Sequence, residues 1–272
     1  MTYFNCHSSF QYFQFSKDLK KFFLLVCSAM AVICTSAQEK LADADNDATI
    51  RFKNEMVGGV NLHSGGWGLT FRRGWHMTGY KKHLMVFDLV NMRHPKQFKQ
   101  ANPFYDGSKP FFFGKLNYVF ILRGGYGRQG IIYSKAERSG VEVRYHYGIG
   151  PSLGIAKPVY LDVIVDEAFN NDTLEFIQTR QYDPLDPDQA SPESIYAPGP
   201  FLKGLGVSKF YPGAWGRLSL SFEYAAWQRK IAAIETGLIV DYFPKTIPIM
   251  AFNKNQPAYI NFYISFIWGS KY

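Results

Sequence analysis

The sequence predicts an all-β fold, an antiparallel up-and-down barrel of about eight strands. Three observations predict it. From residue 55 onward, apolar and polar residues alternate with period two in segment after segment, while 3.6-residue periodicity is almost absent. Tyr, Phe and Gly are abundant, at 18, 24 and 24 residues, which suits closely paired, pleated chain segments. Beyond residue 37 no stretch of 18 consecutive apolar residues occurs, so no helical membrane span competes with the strand reading.

The N-terminal region is set apart first. Lys17, Lys20 and Lys21 precede the apolar run "FFLLVCSAMAVI" (22–33), and Thr35-Ser36-Ala37 presents small residues, so residues 1–37 read as a cleaved signal peptide. The run has 12 residues, short of the ~20 that a helix needs to span an average bilayer. Cys6, Cys27 and Cys34 all fall within residues 1–37, so the exported chain has neither a disulfide framework nor a thiolate metal site. Removing Lys17, Lys20, Lys21 and Asp18 lowers the formal charge from +8 to +6. That is mildly basic and compatible with anionic lipid, but no dense Lys/Arg stripe points to nucleic acid. Residues 38–54, polar and acidic at first, read as a flexible periplasmic leader.

Residues 55–272 form the barrel domain. Strands are expected at 55–63, 66–76, 81–92, 114–127, 140–165, 213–226, 231–243 and 258–269. The stretch "GVEVRYHYGIGPSLGIAKPVYLDVIV" (140–165) reads as one long strand with a bulge; broken at Gly150-Pro151 it would be two, and ten strands in all are then open as a count. Connections alternate between short and long, as in an outer-membrane barrel with tight periplasmic turns and long outer loops. The short ones are 78–82, 128–140 and 225–230. The long outer loops are 93–113, 167–212 and 244–257.

Alternation alone does not say which face points inward, so the content of the polar face has to decide. Leu218, Leu220, Phe222 and Tyr224 oppose Arg217, Ser219, Ser221 and Glu223; Val141, Val143, Tyr145 and Tyr147 oppose Glu142, Arg144, His146 and Gly148. Ile234, Thr236, Leu238, Val240 and Tyr242 oppose Glu235, Gly237 and Asp241. Mixed charges of this kind can fill a narrow lumen by pairing, so Glu142, Arg144, His146, Arg217, Glu223, Glu235 and Asp241 are expected to form a polar lumen network. Trp67 and Trp75 share one face with Leu69 and Phe71; at strand tilt their separation is roughly 20 Å, close to the height of a membrane-facing apolar band of about 25 Å bounded by aromatic girdles. Arg73 shares that outward face and must snorkel to the rim. In "HLMVFDLVNM" (83–92), Asp88 and Asn91 have opposite parity, which calls for a bulge.

The last strand, "YINFYISFIW" (259–268), sets Ile260, Phe262, Ile264, Phe266 and Trp268 against Tyr259, Asn261, Tyr263 and Ser265. It resembles the C-terminal strand that outer-membrane assembly machinery recognises, and most of 55–272 resembles the OmpA/OmpX-like class of small outer-membrane β-barrels. The resemblance implies a Gram-negative outer-membrane location, with outer-membrane lipids and barrel assembly machinery as partners; it transfers no active site, and no cofactor is expected. Gly269-Ser270-Lys271-Tyr272 departs from the pattern by running past Trp268.

Candidate chemistry is sparse. "GGYGRQG" holds a G-x-G-x-x-G at Gly125, Gly127 and Gly130, but "IIYS" follows rather than the helix a dinucleotide site requires, so the glycines read as strand-end and turn residues. His63 and Ser64 at the first outer turn are the candidate pair for a rim-located lipid-modifying enzyme, without an assigned carboxylate partner. Asp183, Asp186 and Asp188 could offer oxygens to a metal ion, in a spacing that matches no EF-hand. Phe176, Tyr182, Tyr196 and Phe201 suit the long loop to recognition of an envelope protein or polysaccharide. "FPKTIPIMAFNK" (243–254) is apolar enough to pack as a lid. The leading expectation is a non-enzymatic barrel acting structurally or through its loops. The alternatives are the rim enzyme and a soluble lipocalin-like carrier with its apolar face inward.

Overall fold

A computed structural model describes residues 53–77, 80–105, 107–134, 140–169, 172–224 and 229–272, with side chains left out over 166–175. The expected signal peptide (1–37), the leader up to residue 52, and parts of the turns at 78–82, 128–140 and 225–230 lie outside the described residues.

Strands β1 (Asn54–His63), β2 (Gly66–His76) and β3 (Lys81–Met92) lead to two short strands, β4 (Lys99–Gln100) and β5 (Phe111–Phe112). Then come β6 (Asn117–Tyr133), β7 (Glu142–Pro158), β8 (Tyr160–Phe169), β9 (Asp172–Gln181), β10 (Ile195–Pro198), β11 (Lys209–Glu223), β12 (Lys230–Tyr242) and β13 (Ala258–Lys271). Eight of them close a cylinder in the order β1-β13-β12-β11-β7-β6-β3-β2, every neighbouring pair antiparallel. β8, β9 and β10 form a separate three-stranded sheet, and β4 and β5 a two-stranded one.

The eight-strand count therefore holds, and the ten-strand alternative does not. The 140–165 stretch is nevertheless two strands, divided at Val159 rather than at Gly150-Pro151. β7 runs through Pro151 as a wall strand, and β8 leaves the cylinder. Accordingly the long connection begins at residue 159, not 167, and β6 starts at Asn117 and extends to Tyr133. Gly125, Gly127 and Gly130 all lie inside β6, which continues as strand to Tyr133 where a dinucleotide site would open a helix.

Polarity follows the alternation. Outward positions of β13, Ile260, Phe262, Ile264, Phe266 and Trp268, are exposed, as are Leu218 and Leu220 on β11 and Trp67, Leu69 and Phe71 on β2. Their neighbours in sequence, Asn261, Tyr263, Ser265, Arg217, Ser219, Ser221, Thr70 and Arg72, are buried inside. An apolar exterior around a charged interior is the reverse of a lipocalin-like carrier, so that alternative is corrected. β3 needs no bulge either. Lys82, Leu84, Val86, Asp88, Val90 and Met92 point in, and Asn91 sits on the outer face at the strand end. Arg73 is exposed near the short-turn end, its guanidinium 5.6 Å over the Trp75 ring.

The interior is not uniformly polar. At the long-loop end Val90, Met92, Val119, Ile121, Ala156 and Tyr211 pack against Phe243, Ile247, Ile249 and Met250 of the β12–β13 connection. That connection dips into the mouth of the cylinder as a plug. It is pinned by Leu116 N–H donating to Ile249 O at 2.9 Å, Ala251 N–H to Gly114 O at 2.8 Å, and Asn117 Nδ2 to Pro248 O at 2.7 Å. Above it, Phe111, Val159, Leu161, Val163, Tyr182 and Ile195 form a second core beneath the β8–β10 sheet.

Candidate functional site: an ionic lumen beneath a loop platform

The alternation that turns Leu and Phe outward necessarily turns the intervening charges inward, where each must find a partner to offset its desolvation. Among the described residues six cations (Arg72, Lys82, Arg123, Arg144, Arg217, Lys271) meet six carboxylates (Glu55, Asp88, Glu142, Glu223, Glu235, Asp241). The charges balance and lie in tiers. Nearest the short-turn end, Lys82 Nζ lies 2.5 Å from Glu55, Arg144 bonds to Glu142 and lies 2.7 Å from Glu223, and Lys271 Nζ donates to Glu223 at 2.9 Å.

The middle tier centres on Glu235. Arg72 donates to both of its oxygens, at 2.6 and 2.9 Å, and the Tyr263 hydroxyl donates to it as well. His146 Nδ1 lies 3.8 Å from the same carboxylate and 3.3 Å from Ser219 Oγ. The next tier links Arg217 to Asp88, Thr70 Oγ1 to Asp88 at 2.6 Å, and Arg123 to Asp241 through Nε at 2.8 Å and an η nitrogen at 2.6 Å. Such forked Arg–carboxylate contacts are the stronger, directional kind. Trp215 fills the remaining width, with Arg217 5.3 Å over its ring.

The structure thus brings together all seven residues expected in the lumen: Glu142, Arg144, His146, Arg217, Glu223, Glu235 and Asp241. Six of the twelve paired charges escaped the sequence reading, Lys271 at the end of the last strand among them. Glu55, Arg72, Lys82, Asp88 and Arg123 share the inward parity of their strands and could have been assigned from it, except that β3 is apolar on both faces.

The other candidate sites fare differently. His63 and Ser64 do not form a nucleophile–base pair: Ser64 Oγ donates to Asn261 Oδ1 at 3.0 Å, and His63 Nδ1 accepts the Gly65 N–H at 3.2 Å. Asp183, Asp186 and Asp188 are engaged locally. Asp183 Oδ1 accepts the Leu185 N–H, Asp186 accepts from the Asp188 N–H and from Gln189, and Asp188 pairs with Arg180 at 2.9 Å.

Of the recognition aromatics, Phe176 and Phe201 are exposed, and Tyr196 packs edge-on to Tyr105. Tyr182 is a correction. It is buried in the core under the β8–β10 sheet, and that burial pushes its phenol pKa up, so it supports the platform rather than meeting a partner. Phe98, Phe104, Leu185, Leu202 and Phe252 add exposed apolar side chains to the same end.

Two lysines were missed altogether. Lys115 and Lys157 are buried at the foot of the platform, their ammonium groups set against the rings of Phe112, Tyr118 and Phe201.

Among solved structures the chain is similar to Neisserial surface protein A (NspA), at a TM-score of 0.39 and 7% identity over 81% of this chain and 97% of that one. It is also similar to Ail, the attachment invasion locus protein of Yersinia pestis, in complex with the heparin analogue sucrose octasulfate, at 0.39 and 7% identity over 81% and 99% of the two chains. A further structure of Ail gives 0.37, with 7% identity and the same coverage. No protein-family model and no curated protein matches the chain.

Proposed function

We propose that this chain is an outer-membrane barrel that conducts no solutes and presents its long loops as a contact surface at the cell exterior. One observation carries the membrane part: a continuous exposed apolar wall surrounds a lumen whose charges are paired. Only a surrounding hydrocarbon phase makes that wall favourable, since an apolar patch this extended costs free energy in water. The balanced tiers of side chains and the apolar plug support a closed lumen, as expected for about eight strands.

The contact role is supported by the platform. Long loops on a rigid cylinder are suited to recognition, and these carry exposed Phe98, Phe104, Phe176, Leu185 and Phe252. A protein or polysaccharide of the envelope is the partner class. The experiment is to place spin labels at 262, 220, 217 and 142 of the protein reconstituted in phosphatidylcholine vesicles. Labels at 262 and 220 should be protected from aqueous relaxation agent and accessible to oxygen in the lipid; the reverse pattern sinks the membrane reading. Heat-modifiable gel mobility tests the closed barrel in the same sample, and planar-bilayer recording should show no channel.

A further inference from the structure

Lys115 and Lys157 are 3% and 2% exposed as whole residues, so their stems are covered while the ammonium tips stay open to solvent, and among the described residues neither tip has a carboxylate or a hydrogen-bond acceptor. In a protein whose other buried charges are matched, this is an anomaly. Partly desolvating a cation with no anion beside it is costly, and ring faces return only part of that cost. Lys115 Nζ lies 4.7 Å from the Phe112 ring centre and 4.2 Å from that of Tyr118; Lys157 Nζ lies 5.1 Å from Tyr118 and 4.7 Å from Phe201. The two cations share one ring.

Their place in the barrel gives the anomaly a direction. Tyr118 and Lys157 are directly paired across β6 and β7 on the outward side, next to the long-loop rim. Farther from that rim, the outward positions of the same strands carry Phe120 and Leu122, and Leu153 and Ile155. Beside them the 3-10 turn Leu205–Val207 packs near β7 and leaves Leu202 and Leu205 exposed, at 72% and 53%. Two cations lacking an anion, standing at the top of an apolar wall and bordered by an aliphatic lip, match one chemistry. It is a phosphate at the head of hydrocarbon chains.

We propose that Lys115 and Lys157 bind the phosphate of an anionic lipid in the leaflet that meets the long-loop end, with the acyl chains lying along β6 and β7. The inference rests on the membrane-inserted reading above. Charge-assisted contacts from the two ammonium groups would supply the affinity, and the rings would hold the lysines in place while the site is empty.

The test uses the full chain folded into phosphatidylcholine vesicles with and without phosphatidic acid, then extracted in mild detergent for native mass spectrometry of retained lipid. Wild type should retain phosphatidic acid in preference to phosphatidylcholine. K115Q/K157Q should lose that preference by roughly tenfold or more, and K115R/K157R should keep it. Should the double glutamine variant fail to give the heat-modifiable folded band, K157Q alone decides by the same comparison. Equal retention by wild type and glutamine variants overturns the site. Inorganic phosphate is the second arm: if it alone displaces the lipid at equal molar concentration, the source is free phosphate and the lipid assignment is overturned. Flotation of the protein with pure phosphatidylcholine vesicles is scored separately. A protein that floats without a lysine-dependent preference refutes only this inference, whereas one that fails to float refutes the membrane reading.

Discussion

The indole N–H of Trp215, inside the cylinder, donates to the backbone carbonyl of Gly124 at 3.0 Å. Gly124 faces Pro151 of the neighbouring strand, and Pro151 has no N–H to give; β-pairing lapses there between Arg123↔Ser152 and Tyr126↔Ile149. The carbonyl points toward β7, since a Cβ on Gly150 would come within 2.2 Å of it. A lumen side chain therefore completes a wall hydrogen bond. Trp215→Phe should lower stability by about 1–3 kcal/mol, the cost of an unsatisfied buried carbonyl. Pro151→Ala restores a donor, so Pro151→Ala/Trp215→Phe should recover about 1 kcal/mol relative to Trp215→Phe alone. Urea titration of the folded gel band in vesicles measures both; additive effects would break the link.

The Arg72–Glu235 fork is fully enclosed, with Tyr263 as a third member. Glu235→Gln leaves a buried guanidinium without its counter-charge and should cost about 3–5 kcal/mol. Replacing both partners with apolar residues, as Arg72→Met/Glu235→Leu, should cost clearly less than either single change. The same urea titration distinguishes the two outcomes.

Lys115 gives the platform a pH dependence. Desolvation, with Arg93 adding repulsion, pushes its pKa down from 10.5 to about 8. Between pH 8 and 10.5 the unfolded chain therefore holds more proton than the folded one, so stability must rise with pH across that window. The cost of burying the cation is fully present below pH 8 and is relieved as pH climbs to 10.5. Relative to Lys115→Met, which titrates nothing there, wild type should gain on the order of 2–3 kcal/mol over the window. Urea midpoints of the two proteins at pH 7.5 and 10.5 provide the measurement; parallel curves would contradict it.

Ile247 is fully buried in the plug. Ile247→Ala should destabilise by about 2–4 kcal/mol, as a large-to-small change in a packed core. Conductance should nonetheless stay at background in planar bilayers, because the tiers of ion pairs lie below the plug. An open channel in this variant would show that the plug alone seals the barrel.

Much of this was legible in the sequence, and the exceptions have physical causes. β1, β2, β12 and β13 alternate cleanly because one face meets charge and the other an apolar surround. β3 resisted because the lumen itself turns apolar at Leu84, Val86, Val90 and Met92, so both faces look alike. The break at Val159 was hidden because β8 alternates in step with β7, and its inward row (Leu161, Val163) continues the pattern into a different core. Gly150-Pro151 looked like a break because Pro removes a ladder donor; the replacement donor, Trp215, lies in another strand. Tyr182 reads as a surface residue in the sequence because nothing local marks the three-stranded sheet that covers it. Glu142, Glu223, Glu235 and Asp241 were readable from parity alone, whereas the lysine pair needs long-range contacts from residues 112, 118 and 201.

The ladder that runs from Glu55↔Lys271 to His63↔Tyr263 joins the first staves of the cylinder to the last. No nascent chain that stops short of residue 258 can form it, so closure waits on the largest sequence separation in the fold and carries the entropic penalty of that separation. Until then two open margins, one on β1 and one on β12, offer unpaired amides to any passing chain. Both margins lose their exposed amides in the same step, when the last strand docks between them.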